Sequence, residues 1–474
     1  MTELLDFLNA LLWDSILIYL LIGAGLYFIY RTGGLPLRHL PEMFRVLTQR
    51  RAHPPGSLSA WQALCLSLAG RVGAGNLAGV AVAINTGGPG AIFWMWVISW
   101  LSMITALVES TLGQLYKTRD SHGQLRGGPA CYMEKGLGMR WMGVVFALLL
   151  IFAFGFAFNT LQAGTMAVVN RYALNCPPLV LALGLLLPGG LVLSGGLPRI
   201  ARCCALLVPL LLLLYLALTL WTMATHLAAL PQVFAAIFRG AFGAEQAAGG
   251  AMGYGMSQAM TQGAQRGMFS NEAGLGTVPN AAASARPTPL HPVSQGYMQM
   301  LGVVVDTLMI SSATAMIMLL AGTPGRAHPA QGVTLTPEAF AAFSGLWGGP
   351  LVTLVVFLFA FTAMLANYAY AENNLLFLTR HRPVGLVLLR VLVLLAAAAG
   401  ILWDISWLYP LATIATALMT LTNLTALLLL SGVAFTLIKD YHRQRQIGRE
   451  PVFNAAHFPA LQKQLSPGIW ERER

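Results

Sequence analysis

Charged residues are scarce in this sequence, at 9% of its 474 residues, whereas hydrophobic residues make up 57%. Soluble globular domains carry about 25% charged residues, most of them on the surface. The composition therefore excludes a soluble protein and predicts that most of the surface faces lipid. Since a membrane-spanning helix takes roughly 20 apolar residues, this length accommodates about ten spans with short connections.

A metal-binding or disulfide pattern of cysteines, a catalytic grouping of residues and a basic N-terminal segment are also lacking. The five cysteines show no metal-ligand spacing and imply no disulfide framework. The sequence has no recognisable pairing of a nucleophile with a base, no phosphate-binding loop and no nucleotide-binding domain, so we predict neither an enzyme nor an ATP-driven pump. The start carries Glu3, Asp6 and Asp14 rather than the basic front of a secretory signal, which predicts a retained first helix.

Apolar runs predict an all-α membrane protein with about eleven spans. Spans 1 to 11 are 13–31, 61–86, 89–117, 140–170, 177–196, 204–226, 247–280, 292–322, 349–379, 384–402 and 406–438. Three further segments, 35–52, 230–242 and 334–346, are predicted to lie at the membrane interface. The predicted units are an N-terminal helix with an inner interfacial segment (1–60), a first repeat (61–226), an outer interfacial segment (227–246), a second repeat (247–438) and a tail (439–474).

The basic residues predict the orientation. If the N-terminus is outside, 22 of the 28 Lys and Arg residues lie in inner loops and the tail, three lie in outer loops and three within spans. Such a bias places the tail in the cytoplasm, and we expect a multi-pass protein of a bacterial inner membrane. The same distribution explains the net charge of +11 without nucleic-acid binding.

Spans 2 and 7 have sequences that make poor continuous helices. Each has a glycine-rich polar centre and an arginine, Arg71 or Arg266, at membrane depth. Glycine costs a helix about 1 kcal/mol relative to alanine, and a mid-membrane arginine costs about 2.5 kcal/mol or more. We therefore predict two broken helices that line a cavity. Because spans 2 and 7 lie five apart, they occupy matching positions of two inverted halves, which is typical of secondary transporters.

The spans that follow the broken helices each carry an acid, Glu109 in span 3 and Asp306 in span 8. Each acid either pairs with a nearby arginine, caps the backbone of a broken helix or relays an ion. Arg71 and Glu272 lie near the two breaks, so an ion pair or network between them is the economical interpretation. Glu372 and Arg380 are interpreted as a gate or interface pair, with solvated structural charges as the alternative.

The two breaks predict how a zwitterion is held. A helix that restarts at a break presents free N–H groups and a positive dipole end, which suit a carboxylate. The carbonyls from Ala69 to Val72, where the first half of span 2 stops, suit a desolvated Na⁺. In span 7 the break is predicted to run from Phe269 to Gly274, where its carbonyls and the Ser270 hydroxyl would receive an ammonium group and the Phe269 ring would act as a lid. In span 2 the residues of the break are Gly73, Ala74, Gly75 and Asn76.

Five stretches make the sequence similar to the alanine or glycine:cation symporter family over nearly the whole chain. They are RVGAGNLAGVAVAINTGGPGAIFWMW (71–96), GQLRGGPACYMEKGLG (123–138), FSNEAGLGTVPNAAA (269–283), ANYAYAENN (366–374) and TLTNL (420–424). The resemblance implies the leucine-transporter-type fold of five-plus-five inverted repeats, here with an extra N-terminal helix. It also implies Na⁺-driven, sometimes H⁺-driven, uptake of alanine or glycine.

The resemblance also implies roles for particular residues. The peptide groups of residues 73–75 would meet the substrate carboxylate, and Gln162 in span 4 would reach the substrate. Phe269 and Ser270 would cover the side chain and the amine. The cation would be held by the carbonyls of Ala69 and Val72 and the hydroxyl of Thr362. Many members carry Thr or Ser where this chain has Ala74, which removes a side-chain contact there and leaves the main-chain contact.

Other transport functions are kept as alternatives. An H⁺-coupled amino-acid symporter or an exchanger of the same fold fits the same residues. An ion channel fits less well, because two inverted halves with broken helices favour alternating access within one chain. The implied partners are a small neutral amino acid and the lipid bilayer, with neither nucleic acid nor an obligate protein partner.

Overall fold

The computed structural model describes residues 2–49, 57–242, 252–322, 335–405 and 407–470, which are nearly all helical. The helices of the first half are α1 (Thr2–Asn9, a π-helical segment Ala10–Leu17 and Ile18–Arg31), α2 (Leu35–Arg38), α3 (Leu40–Thr48), α4 (Ala60–Arg71), α5 (Ala74–Gly87), α6 (Ala91–Leu115), α7 (Pro129–Leu137), α8 (Arg140–Leu150, a π-helical segment Ile151–Phe158 and Asn159–Ala173), α9 (Pro178–Ser194), α10 (Gly196–Thr225) and α11 (Leu230–Ala241).

The second half continues the same architecture. Its helices are α12 (Met252–Asn271), α13 (Val278–Ala283), α14 (Pro292–Val303, a π-helical segment Val304–Ser311 and Ser312–Leu320), α15 (Leu335–Ser344), α16 (Gly348–Leu378), α17 (Leu386–Leu402), α18 (Leu408–Gln446) and α19 (Pro459–Gln462). Short 3-10 turns occur at Leu227–Ala229, Gly345–Trp347 and Ala455–His457.

The helices overlap the predicted spans, although some bounds differ, as in α10 and α18, which are longer than spans 6 and 11. Each of the eleven spans corresponds to one helix or, for spans 2 and 7, to a pair of helices separated by an unwound segment. Seven of the helices in the described ranges are long and apolar enough to cross a membrane. The segments predicted to lie at the interface also form helices, namely α2 with α3, α11 and α15. The all-α membrane class is thereby confirmed.

One small element of another type was not predicted. Strands β1 (Thr118–Arg119) and β2 (Leu125–Arg126) form an antiparallel hairpin in which Thr118 pairs with Arg126. The Asp120 carboxylate closes the turn by accepting the backbone N–H groups of His122 and Gln124, both at 2.9 Å. The hairpin places the Arg126 side chain against α16, where Arg126 Nη2 lies 2.7 Å from Glu372 Oε1.

The two broken helices lie at the centre of the bundle. Helix α12 packs on both α5 and α6, and α6 packs on α14. Helix α4 packs on α10 and α16, while α8 packs on α16 and α17. The two breaks are therefore enclosed by helices from both halves of the chain.

The segment after α18 folds back onto the C-terminal end of α6. Trp470 Nε1 donates to the Leu115 carbonyl at 3.0 Å, and its ring lies 4.5 Å from Lys117 Nζ. The Lys117 ammonium is buried and donates to Gln114 Oε1 at 2.7 Å.

Helices α8 and α17 approach each other closely at Gly400. A Cβ at this position would collide with the Thr160 carbonyl oxygen and would lie 3.2 Å from the Gly164 nitrogen. Close backbone approach through small residues is a common way for helices to pack in membranes. The two helices therefore pack at a distance that only glycine permits.

Gly400→Ala is expected to push α17 away from α8 and to cost about 1–3 kcal/mol through overpacking. The temperature at the midpoint of thermal unfolding in detergent should fall by a few degrees. Size-exclusion chromatography of heated samples measures this midpoint. Gly432→Ala in α18 is the matched control, because a Cβ there meets nothing within 4 Å. Equal midpoints for the two variants would contradict the close approach.

Candidate functional site

The break in span 2 occupies Val72 and Gly73. Helix α4 ends at Arg71 and α5 begins at Ala74, while Gly73 is extended, with φ −110° and ψ −176°. Residues 74–76, which were predicted to be unwound, instead form the first turn of α5. The backbone of residues 74–76 is described, but the side chains of Ala74 and Asn76 are outside the described part of the structure. The first-turn N–H groups of α5 have no partners within the helix, which is the arrangement predicted to suit an anion.

The break in span 2 is enclosed by spans 4 and 9. A Cβ added to Gly73 would collide with Gln162 Nε2 of α8 and would lie 3.2 Å from the Ala363 Cβ of α16. The absence of a side chain at Gly73 is therefore what lets the Gln162 amide approach the backbone of the break. The structure brings together two of the residues predicted to bind the substrate, Gly73 and Gln162.

The break in span 7 lies further along the chain than predicted. Helix α12 continues through Asn271, and the unwound segment runs from 272 to 277 before α13 begins at Val278. Two local features explain the shift. Asn271 Oδ1 accepts the Ala273 N–H at 3.0 Å, and Glu272 has a positive φ of 54°. Phe269 and Ser270 therefore lie in the last turn of α12, whereas Gly274 is in the unwound segment.

The Phe269 ring is held by the first helix. It lies 4.3 Å from the Trp13 ring, centroid to centroid, at an interplanar angle of 31°. Trp13 is buried and donates its Nε1–H to the Thr413 carbonyl of α18 at 3.1 Å. This contact was not foreseen, because Trp13 lies in an apolar run in which an aromatic side chain carries no distinguishing signal.

Glu109 caps the unwound segment of span 7. Its Oε2 accepts the Gly274 N–H at 3.1 Å and the Asn423 Nδ2–H at 3.3 Å. Asn423 in turn donates to the Gly274 carbonyl at 2.9 Å, and Tyr132 donates its hydroxyl to Asn423 Oδ1. Of the three interpretations of Glu109, the structure shows the backbone cap.

Asp306 has different partners, although it occupies the matching place after the other break. Ser270 Oγ and Thr307 Oγ1 donate to its Oδ2 at 2.7 and 2.8 Å. The aspartate is fully buried in the π-helical segment of α14. Ser270, expected to cover a substrate amine, is thus hydrogen-bonded to Asp306 in this structure.

Arg71 and Glu272 make their direct contacts with other groups. Arg71 Nη1 donates to the Gln299 carbonyl at 3.2 Å, and Glu272 Oε2 accepts the Thr277 hydroxyl at 2.6 Å. The guanidinium is buried and interacts electrostatically with Asp306, Glu272 and Glu109. The network around Arg71 therefore includes all three acids near the breaks.

Glu372 pairs with a residue other than the one predicted. Arg126 Nη2 lies 2.7 Å from Glu372 Oε1, and Arg126 Nε lies 3.1 Å from Asp120 Oδ2. All three side chains are almost fully buried, with 4–6% exposure. Arg380 lies beyond the end of α16, is exposed and has φ 54°. The prediction of a Glu372–Arg380 pair is therefore wrong, because the hairpin β1–β2 supplies the cation instead.

A set of buried amides also escaped the sequence interpretation. Asn280 Oδ1 accepts Nδ2–H groups from Asn373 at 2.6 Å and from Asn374 at 3.0 Å. These bonds join α13 to α16. The three asparagines lie in the stretches FSNEAGLGTVPNAAA and ANYAYAENN, so the motifs included them, but their spacing does not indicate that they meet.

The three residues predicted to bind the cation are buried. Ala69, Val72 and Thr362 have no exposed surface. The Thr362 hydroxyl donates to the Phe359 carbonyl of its own helix at 3.0 Å. A threonine hydroxyl keeps acceptor lone pairs while it donates, so this bond leaves the oxygen able to ligate.

Two buried breaks at the centre of a bundle of apolar helices, with polar side chains from both halves turned toward them, define a membrane transporter. The chain matches the model of the sodium:alanine symporter family over residues 1–455. It therefore belongs to the sodium:alanine symporter family and is a multi-pass membrane protein.

Individual proteins support the same assignment. The chain is 43% identical to the "Probable sodium/glutamine symporter GlnT" of Bacillus subtilis (strain 168), with 94% of this chain and 91% of that protein covered. It is 32% identical to the "Sodium/alanine symporter AgcS" of Methanococcus maripaludis, with 94% and 98% covered. Its fold resembles that of a manganese transporter from Eremococcus coleocola, at a TM-score of 0.53 and 14% identity, with 90% of this chain and 85% of that chain covered.

Replacing Glu109 distinguishes a backbone cap from a charge needed for transport. Glu109→Gln keeps an oxygen that accepts the Gly274 N–H, whereas Glu109→Ala leaves that buried group unsatisfied at a cost of about 1–3 kcal/mol. We expect the Gln variant to keep the thermal unfolding midpoint and the transport activity of the wild type. The Ala variant should have a lower midpoint and should lose transport. A Gln variant that folds normally but does not transport would show that the negative charge itself is required.

Proposed function

We propose that the protein is a Na⁺-coupled symporter that imports a small neutral amino acid, alanine or glycine, by alternating access. One observation carries the proposal. The break in span 2 places the bare backbone of Gly73 against Gln162 of span 4, beside the first-turn N–H groups of α5, which have no partners within their own helix. Such a site offers donors to a carboxylate and a side-chain amide to the rest of the substrate.

The crowding at Gly73 supports a small substrate. The Gln162 amide and the Ala363 methyl group both lie within van der Waals reach of the break. One extra methylene is discriminated by only about 1–3 kcal/mol, so alanine, glycine and serine are all expected to be accepted. The name of the Bacillus subtilis relative makes glutamine the alternative substrate.

Na⁺ is proposed as the coupling ion, bound by the carbonyls of Ala69 and Val72 and the hydroxyl of Thr362. Carbonyl and hydroxyl oxygens in a buried site suit a hard, desolvated cation. H⁺-coupled symport or exchange by the same fold is the alternative function.

The pattern of burial supports a conformation closed on the cytoplasmic side. Every residue from 271 to 285 is buried, and Arg126, Asp120 and Glu372 form a buried ion-pair network beside this segment. Before its last turn, α12 carries partly exposed polar side chains, which are costly to expose to lipid. They are Gln258, Thr261, Gln262, Gln265 and Arg266.

We propose the corresponding topology for the bacterial inner membrane, with the N-terminus outside and the tail in the cytoplasm. The units 61–226 and 247–438 would be the inverted repeats, with 227–246 as the outer connection. Residues 1–60 would add the extra helix and an inner interfacial segment, and 439–474 would form the tail.

Uptake into proteoliposomes tests the proposal. We expect saturable uptake of alanine and glycine that is driven by an inward Na⁺ gradient and stops when the gradient is collapsed. A panel of small amino acids and glutamine, each measured with and without Na⁺, identifies substrate and ion together. Uptake that persists after the Na⁺ and H⁺ gradients are both collapsed would contradict coupling.

Gln162→Ala is expected to weaken substrate binding by at least tenfold, because the variant removes the amide that faces the break while α8 stays intact. The measurement is the substrate concentration for half-maximal uptake at saturating Na⁺. Gln462→Ala on the exposed face of α19 is the matched control and should behave as the wild type. Unchanged affinity in the Gln162 variant would remove this residue from the site.

A further inference from the structure

An aromatic contact joins the first helix to the last turn of α12. The Trp13 ring of α1 lies 4.3 Å from the Phe269 ring, centroid to centroid, and the two planes are inclined by 31°. Trp13 is buried, with 1% exposure, whereas Phe269 is only partly buried. The indole therefore covers one side of the Phe269 ring, while part of Phe269 stays accessible.

We propose that Trp13 is a positioning residue that limits the size of the transported amino acid by holding the Phe269 ring in place. The inference rests on the proposed uptake of a small amino acid and on the expected position of Phe269 over the substrate side chain. It deepens that proposal by giving the extra helix α1 a role in substrate specificity.

Hydrogen bonds between α1 and α18 hold the indole in position. Trp13 Nε1 donates to the Thr413 carbonyl at 3.1 Å. One turn earlier, Asn9 Nδ2 donates to the Pro410 carbonyl at 3.1 Å, and Thr413 Oγ1 donates to Asn9 Oδ1 at 2.7 Å. The N–H of a buried indole usually has a hydrogen-bond partner. The Trp13 ring therefore cannot turn away from Phe269 without losing its bond to α18.

Helices α5 and α12 pack side by side in opposite directions. A Cβ added to Gly87 would lie 2.9 Å from Gln262 Cβ, and one added to Gly79 would lie 3.9 Å from Arg266 Cδ. The residue numbers rise along α12 as they fall along α5. The two helices are therefore antiparallel, and these contacts give their register.

This register places Phe269 at the depth of the break in span 2. One further turn, about four residues, leads from Gly79 to Gly75 and from Arg266 to the end of α12, where Phe269 lies. Gly75 is in the first turn of α5, directly after the break at Gly73. The partly exposed Phe269 is therefore level with the backbone that is proposed to bind the substrate carboxylate.

The indole determines how far the Phe269 ring can retreat. Protein interiors are close-packed, so a ring moves aside only if there is space for it. With Trp13 behind it, the ring would block a substrate side chain that extends past a methyl group. Replacing Trp13 with alanine would open that space without changing any residue proposed to touch the substrate. The variant should then accept side chains that are longer by one or two methylene groups.

A purely structural role for Trp13 leads to a different expectation. Loss of a large buried side chain lowers stability, and a smaller amount of folded transporter would reduce the uptake of every substrate in the same proportion. The ratio between two substrates in one preparation separates the roles. Asn9→Ala is the matched control, because it removes hydrogen bonds between α1 and α18 but keeps the contact between the Trp13 and Phe269 rings.

Na⁺-driven uptake of glycine, alanine, 2-aminobutyrate and norvaline into proteoliposomes tests the proposal, since each adds one methylene group to the one before. The quantity compared is kcat/KM for norvaline relative to alanine. Trp13→Ala should raise this ratio at least about tenfold, which is the discrimination that one methylene commonly gives. Trp13→Phe keeps an aromatic face and should stay near the wild-type ratio. Asn9→Ala should lower the thermal unfolding midpoint and leave the ratio unchanged.

A second background shows whether Trp13 acts through the Phe269 ring. Effects of residues in contact are not additive, so Trp13→Ala should not change the ratio further in a Phe269→Ala protein. An equal change in both backgrounds would overturn the proposal, and so would a wild-type ratio in Trp13→Ala. If Trp13→Ala does not fold, Trp13→Leu replaces it, with a raised ratio expected and a wild-type ratio contradicting the role.

Binding measurements keep this proposal separate from the proposed function. A wild-type protein that binds these amino acids in equilibrium dialysis but shows no Na⁺-driven uptake would contradict Na⁺-coupled transport. The ratio of dissociation constants for norvaline and alanine would then test Trp13 in the same variants, with the same expected shift. A wild-type protein that neither binds nor transports any of the four would overturn both proposals.

Discussion

An unwound segment inside a membrane protein is stable only if its peptide groups find partners away from water. Between α12 and α13 this requirement is met by side chains from elsewhere in the chain. Glu109 accepts the Gly274 N–H, and Asn423 donates to the Gly274 carbonyl. The arrangement of spans 3 and 11 around span 7 therefore depends on these bonds. The unwound backbone is in this way available at the centre of the bundle without being exposed to lipid.

The same constraint explains why acids at matching positions have different environments. The Glu109 carboxylate accepts hydrogen bonds from two N–H groups whose positions are fixed by backbone and amide geometry. The Asp306 carboxylate accepts hydrogen bonds from hydroxyl groups, which can rotate. Acids that follow the two breaks in the sequence therefore have different partners in the folded protein.

The first helix and the tail each pack against a helix of the central bundle. Trp13 of α1 lies against the Phe269 ring in the last turn of α12 and donates to the Thr413 carbonyl. At the C-terminal end of α6, Trp470 donates to the Leu115 carbonyl, and its ring lies against Lys117. Any movement of span 3 or span 7 during transport must therefore be accommodated by these two peripheral segments.

How much of the site follows from sequence differs between elements. The spans and the existence of both breaks were predicted, because apolar runs and glycine-rich polar centres are local properties. The second break was predicted at a position too close to the N-terminus, since the Asn271 side chain and the positive φ of Glu272 set the end of α12. Glu372 was assigned the wrong partner, because Arg126 lies 246 residues away and reaches it only through the hairpin.

The sequence by itself determined that the chain is a membrane protein, where its helices lie and that two of them are broken, because hydrophobic burial in lipid acts on each segment separately. Only the tertiary structure decided which polar groups meet: Gly73 with Gln162, Glu109 with Gly274, and Ser270 with Asp306. Hydrogen bonds between distant segments depend on how the helices pack, and one residue's shift along a helix turns a side chain by about 100°. The residue types therefore indicate that a site exists, and the packing of the helices gives each residue its role.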